Sequence, residues 1–466
     1  MVFSSYLFLF FFLPAALLAY YAVPGKRRHL ALALASYVFY GWANPWFCLL
    51  MLATTCVDYA DGRLMGRFPA RKRWFAAASV VFDLAVLGFF KYFNFGVENY
   101  NAAVSALGLP GAQWHGVFRV VLPLGISFYT FQSLSYVIDV YRGEAQPVDS
   151  FVDYACYVSM FPQLVAGPII RFRDVADQLR ERTLSWEKFA RGTAFFMLGM
   201  AKKVLLANPC GKIADTAFDT VDLGCFDSWY GAVAYAFQIY FDFSGYSDMA
   251  IGLGLMLGFV FAKNFDSPYR SKSITEFWRR WHLSLSTWLR DYLYIPLGGN
   301  RRGKVRTYAN LMVVMLLGGL WHGASWNFLV WGGIHGGFLA FERAQGKESL
   351  YRRLPGWMQT AATFAIVLVA WVFFRADTLG DAWQYLRCMF GGGTPGQGEA
   401  VRGLICNPYY VANFVLAGVA VWAFPQAWDF TRRLGWAKIA WCILLFLLAL
   451  AVLTTQSYNP FIYFIF

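Results

Sequence analysis

Five histidines occur in the chain, and one of them stands where an imidazole is expensive. His322 lies in Leu320-Trp321-His322-Gly323-Ala324-Ser325-Trp326-Asn327, within a stretch from 307 to 341 that has no Asp, Glu, Lys or Arg. Such a ring must be hydrogen-bonded or face a cavity, or it costs free energy. Kept neutral by burial, it can take a proton from a hydroxyl, as a general base does. His282, in Trp278-Arg279-Arg280-Trp281-His282-Leu283-Ser284-Leu285-Ser286, is the second candidate; on a surface helix it would meet solvent at no cost. His29 follows Lys26, Arg27 and Arg28 and reads as interfacial, and His115 reads as a loop residue beside Trp114. His335, among Gly332, Gly333, Gly336 and Gly337, reads as a consequence of close helix packing. No carboxylate or cysteine stands at ligand spacing from His282 or His322, so no metal is expected. No GxSxG elbow is present, and a base acting on an incoming hydroxyl and an activated acyl donor needs no protein nucleophile. The eight cysteines lack a CxxC pair and read as small apolar filler.

The elements that must position these residues are membrane helices. The chain is 58% hydrophobic with 14% charged residues, against about a quarter charged in ordinary globular chains. Roughly ten to twelve stretches approach the apolar length of a span: 5–23, 30–44, 46–60, 74–93, 119–140, 190–207, 229–262, 309–341, 357–374, 409–427 and 439–455. Backbone groups in lipid must be satisfied internally, so the expected fold is all-α, a polytopic integral membrane protein. The expected organisation is one membrane-embedded domain over 1–466, with core motifs at 151–341 and peripheral helices at 1–150 and 342–466. The first segment reads as a retained helix, without a small-residue cleavage site.

Four stretches depart from plain spanning helix. Phe161-Pro162-Gln163-Leu164-Val165-Ala166-Gly167-Pro168-Ile169 holds two prolines that one regular helix cannot accommodate, so a re-entrant or interfacial element is expected over 151–170. The 229–262 stretch carries Asp242 and Asp248 and would extend about 50 Å as one helix, so a break near Gly245 is expected. Acids at membrane depth face a bundle interior or a cavity, serving as polar glue or as substrate contacts. The 263–306 segment carries ten Lys or Arg against Asp266, Glu276 and Asp291. Its residues Phe277, Trp278, Trp281, Leu285, Trp288, Leu289 and Tyr292 recur at helical spacing, which predicts an amphipathic helix along the membrane surface. The 307–341 stretch exceeds one crossing, and Gly323 marks its expected break, with His322 near the bend.

The net charge of +13 resides in short links between spans, which is a topology signal rather than a nucleic-acid face. Basic links such as 63–73, 171–191 and 263–306 are expected to be cytoplasmic.

At these segments the chain resembles the membrane-bound O-acyltransferases, in particular the bacterial branch that contains the membrane subunit of alginate O-acetylation. The matching text is FPQLVAGPI at 161–169, FDFSGYSD at 241–248, FWRRWHLSLSTWLRDYLYIPL at 277–297 and GGLWHG at 318–323, with the opening and closing residues also similar. The resemblance implies that His322 of the WHG motif is catalytic and His282 of the RWH motif a second hallmark position. It implies helices around a thinned centre crossed by a catalytic tunnel. The donor would be cytoplasmic acetyl-CoA, with no bound cofactor, and the enzyme would lie in the bacterial inner membrane. The acetyl group would pass to an extracytoplasmic polysaccharide directly or through a periplasmic partner acetyltransferase. Trp321, Asp242 and Asp248 are then candidate substrate contacts, Ser325 and Asn327 candidate oxyanion donors, and Arg279, Arg280 and Arg290 candidates for the coenzyme A phosphates. Two readings compete: a polysaccharide exporter or flippase, motivated by Asp242 and Asp248 and by the broken helices, and a scaffold that docks a polymer synthase.

Overall fold

The computed structural model describes residues 1–346, 349, 351–393, 399–456 and 458–462, and every regular element among them is helical. The chain divides into two compact units, one formed by Met1–Arg182 with Gly323–Ser325, the other by Thr183–His322 with Trp326–Phe466.

The first unit holds α1 (Leu13–Ala22), α2 (Arg28–Gly41), α3 (Pro45–Arg67), α4 (Lys72–Ala106), α5 (Ile126–Arg142), α6 (Phe151–Ser159), α7 (Phe161–Leu164) and α8 (Phe172–Arg180). Local chemistry sets several boundaries. Asn44 accepts from the Trp46 N–H and Pro45 opens α3, the cap and first-position pair that helices favour. Ser150 caps α6 through the Asp153 N–H. The proline-bearing stretch is broken as expected: α6 ends at Ser159, α7 lasts four residues, and no helix runs through Pro168. The span expected from 119 starts as a helix only at Ile126.

The second unit holds α9 (Trp186–Ala201), α10 (Asn208–Phe218), α11 (Cys225–Met256), α12 (Ile274–Trp278), α13 (Leu283–Trp288), α14 (Lys304–His322) and α15 (Trp326–Ala344). It continues with α16 (Gly356–Arg375), α17 (Leu379–Arg387), α18 (Glu399–Ile405), α19 (Pro408–Trp422), α20 (Ala427–Phe430) and α21 (Trp436–Thr455). By length and apolarity Pro69–Ala106, Gly356–Arg375 and Trp436–Thr455 can cross a membrane among the described residues. Leu7–Ala22 and Pro408–Trp422 are shorter apolar helices. Other helices of spanning length, α11 and α15 among them, carry buried polar side chains that face protein.

Two expectations fail here. The break near Gly245 is absent, and α11 runs unbroken for 32 residues. Gly245 instead serves close packing with α9. A Cβ at Gly252 would lie 2.4 Å from the Gly192 carbonyl oxygen, and one at Gly245 would lie 2.8 Å from that of Gly199. Two glycines seven residues apart on each helix therefore let the backbones touch, the small-residue device of membrane interfaces. The long amphipathic helix over 277–292 is also absent. In its place stand α12, a turn, α13 and a wider π-type turn over Leu289–Tyr294. Phe277, Trp281, Leu285, Trp288, Leu289 and Tyr292 are buried against protein rather than laid on a membrane surface.

Candidate active site

His322 owes its position to a helical hairpin. Helix α14 ends on it, Gly323–Ser325 form the link, and α15 begins at Trp326, so the expected break falls at Gly323. The arms of the hairpin meet backbone to side: a Cβ on Gly332 would lie 2.4 Å from the Met315 carbonyl oxygen. The His322 side chain is only 4% exposed. Its ring meets Trp321 at 5.0 Å, Phe374 at 5.1 Å and Trp331 at 5.2 Å between centroids, each edge-on. An aromatic cage of this kind shields the ring from bulk water.

His282 is not on a solvent-facing helix surface; it is fully buried, which corrects that expectation. The cause is local. Its backbone adopts φ 44° and ψ 56°, the left-handed region that a non-glycine residue visits rarely, and this interrupts the helix expected over 277–292. Two backbone hydrogen bonds of 2.9 Å tie the turn to an upstream segment, from Leu283 N–H to the Asn264 carbonyl and from Asp266 N–H to the Arg280 carbonyl. The ring packs edge-on against Phe243 of α11 at 4.6 Å, and against Trp321 at 6.2 Å. Its Nδ1 lies 3.2 Å from Asn264 Oδ1. Burial alone pushes this imidazole, in the segment between spans, down to about 3, so the ring is neutral at physiological pH. Through Trp321 the RWH and WHG histidines thus belong to one aromatic cluster of the second unit.

Asp242 and Asp248 of α11 already have partners. Lys203 Nζ lies 2.7 Å from Asp242 Oδ1, and Lys202 Nζ lies 2.6 Å from Asp248 Oδ2. Asp242 Oδ2 also accepts from the Ile462 N–H at 2.9 Å, and Lys203 bonds the Pro460 carbonyl, so the end of the described chain is fastened to this pair. Asn327 donates an amide N–H to the Ala376 carbonyl at 2.6 Å, which uses one of its two donors. Ser325 is half-buried in the link after α14. Arg280 bonds Glu276 at 2.7 Å and the Asp266 carbonyl at 3.1 Å, while Arg290 pairs with the adjoining Asp291; Arg279 and Arg290 are exposed. His335 is buried, and its Nδ1 accepts from the Trp278 indole N–H at 3.3 Å, a contact that goes with the tight packing of its glycine-rich helix.

Sequence reasoning missed Lys202, Lys203, Asn264 and Glu342. Glu342 is buried on α15 and accepts from the Ile274 and Thr275 N–H groups, both at 2.8 Å, which holds the start of α12. Charge balance was the available signal for the lysines: two adjacent cations closing an apolar run, with two acids in the next long one. Nothing in the spacing marked Asn264 or Glu342.

A sequence model of the membrane-bound O-acyltransferase family matches residues 144–376, the interval that holds both histidines and the α11 acids. A Pseudomonas putida protein named as a probable alginate O-acetylase is 45% identical over the full length of both chains. One of the same name from Azotobacter vinelandii is 51% identical, across 84% of this chain and 79% of its own. A peptidoglycan O-acetyltransferase of Helicobacter pylori is 36% identical, across 84% of this chain and 80% of its own. The chain belongs to the membrane-bound O-acyltransferase family. It is an integral membrane O-acyltransferase.

Proposed function

We propose that the chain takes an acetyl group from acetyl-CoA on the cytoplasmic side of the bacterial inner membrane, which it crosses several times. The acetyl group passes to hydroxyls of an extracytoplasmic polysaccharide of the alginate type, directly or through a periplasmic partner acetyltransferase. The observation that carries this reading is the placement of His322: the last residue of α14, at the link of a helical hairpin, with its ring in an aromatic cage. The names of the relatives supply the acceptor class.

In this mechanism neutral His322 removes the proton from an acceptor hydroxyl as its oxygen forms a bond to the thioester carbonyl carbon. The carbonyl oxygen gathers the negative charge, and the second amide N–H of Asn327 and the Ser325 hydroxyl are the donors proposed to steady it. Collapse of the tetrahedral species breaks the carbon–sulfur bond, and the imidazolium returns its proton to the departing thiolate. No acyl-enzyme is required. Exposed Arg279 and Arg290 are the side chains offered to the coenzyme A phosphates; Arg280 is committed to Glu276 and the Asp266 carbonyl. The exporter reading draws on Asp242, Asp248 and broken helices, and the pairing of each acid with a lysine weakens the first of these grounds.

The test uses native membranes carrying the full chain, radiolabelled acetyl-CoA and an unacetylated polymer. His322→Ala should lower transfer by about 10²–10⁴-fold, the usual worth of general-base catalysis, with protein level in the membrane unchanged. Full activity in that variant removes the proposed base. Polymer movement without label transfer in the parent chain favours the exporter.

A further inference from the structure

We infer that Asn264 is a positioning residue for His282: it fixes the ring as the Nδ1–H tautomer and so makes Nε2 the bare lone pair offered to a donor group on the substrate. The assignment follows from which atoms can only donate. The Ser284 backbone N–H points at the terminal atom of Asn264 at 3.2 Å. A backbone nitrogen cannot accept, so that atom is the amide oxygen and the other is the NH2 group. The NH2 group donates to the Ser247 hydroxyl of α11 at 2.8 Å, which holds the amide in this orientation. The Ser284 hydroxyl donates to the same oxygen at 2.9 Å.

His282 Nδ1 faces that oxygen at 3.2 Å and must carry the proton to bond it. Ser284 Oγ lies 3.3 Å from Nδ1 and 2.9 Å from Asn264 Oδ1, and the shorter contact is the one assigned its proton. Since the buried ring is neutral, Nε2 is left without a proton. Nε2 finds no hydrogen-bond partner among the described residues, although the side chain is fully buried. A buried acceptor left unpaired is costly, so Nε2 is open to a donor from a bound molecule. A substrate hydroxyl or amide N–H has the required polarity. Asn264 also clamps the backbone, since its carbonyl accepts the Leu283 N–H and thereby supports the left-handed turn at His282. One asparagine therefore sets both the path of the chain and the tautomer of the ring, as outer partners of catalytic histidines do elsewhere.

Charged groups that could confuse a titration are the Lys202–Asp248 pair beside Ser247, and Arg280 and Asp266, which flank the turn. None of them acts on the His282 ring, where burial is the sole influence. The catalytic consequence rests on the acyl-transfer reading; the tautomer does not.

The experiment uses the full-length protein in native lipid with ¹⁵N-histidine, only five of which are present. Solid-state nitrogen spectra should show one imidazole, absent in His282→Gln, that is protonated at Nδ1 and bare at Nε2. In Asn264→Leu that signal should move to the other tautomer or to a mixture. Acetyl transfer in Asn264→Leu should fall about 10- to 100-fold in kcat, the range for lost outer-shell partners, with KM for acetyl-CoA little changed. Asn264→Asp keeps the oxygen acceptor. It should stay well above Asn264→Leu in rate, with the acid limb of its pH profile moved upward, because a carboxylate favours the imidazolium. A parent spectrum with the proton on Nε2 overturns the inference, and so does Asn264→Leu with the parent rate and pH profile. If Asn264→Leu fails to accumulate, the parent spectrum and the Asn264→Asp profile decide, and an unshifted profile counts against it. A parent chain that transfers no acetyl group sinks the proposed function and leaves the tautomer to be judged by the spectra alone.

Discussion

Two glycines, Gly245 and Gly323, lie in overlong apolar stretches, and the chain treats them in opposite ways. At Gly245 helix α11 continues without interruption, because the missing side chain is used to bring α9 into backbone contact. Ahead of Gly323 helix α14 stops, and the chain links to α15 with the proposed base at the stopping point. Glycine in a membrane segment therefore carries no fixed meaning as a breaker. Lys202 and Lys203, just past the end of α9, pair with Asp248 and Asp242 of α11, the second pair buried, and the hairpin carries the caged histidine.

The comparison can be broken at either end. The largest effect belongs to the hairpin, where His322→Ala removes transfer and leaves folding intact, as set out above. In the α9–α11 pair the order should reverse, with stability lost before chemistry. Asp242→Asn leaves Lys203 buried without its counter-charge and should cost about 3–5 kcal/mol, read as a lowered unfolding midpoint in detergent. Pairing it with Lys203→Met should recover part of that loss. An Asp242→Asn protein as stable as the parent shows that the ion pair does not hold α11. Gly252→Ala places a methyl 2.4 Å from the Gly192 carbonyl oxygen and should cost about 1–3 kcal/mol through forced separation of the helices. The smallest change is Gly337→Ala on α15, where an added Cβ meets nothing within 4 Å. It should be neutral or stabilising by up to about 1 kcal/mol, from helix propensity alone. Equal losses for Gly252→Ala and Gly337→Ala would refute the packing account of the glycines.

Much of this was legible in one dimension. Charge-free runs of spanning length dictate helices, since backbone groups have no water to bond in lipid. Pro162 opens a new four-residue helix and no helix runs through Pro168, so one regular helix cannot span the stretch, and the hairpin break at Gly323 follows from a run too long for one crossing. The misreading of 277–292 has a specific origin. The aromatics do recur at helical spacing, but a periodic pattern reports only that one face is buried, not that the backbone stays helical. A single residue, His282, enters the left-handed region, and the pattern cannot register it.

The sequence by itself determined the class of this protein: an all-helical membrane enzyme with two histidines, His322 and His335, in a charge-free run, recognisable because lipid and local chain geometry act on neighbouring residues. Tertiary structure alone decided what surrounds that chemistry. Asn264 reaches His282 across 18 positions, Lys202 reaches Asp248 across 46, Glu342 reaches Ile274 across 68, and Ile462 reaches Asp242 across 220. Partners so far apart are brought together by packing of whole helices, and hydrogen bonds and ion pairs act only at contact distance. Composition and spacing along the chain have no means of encoding them singly.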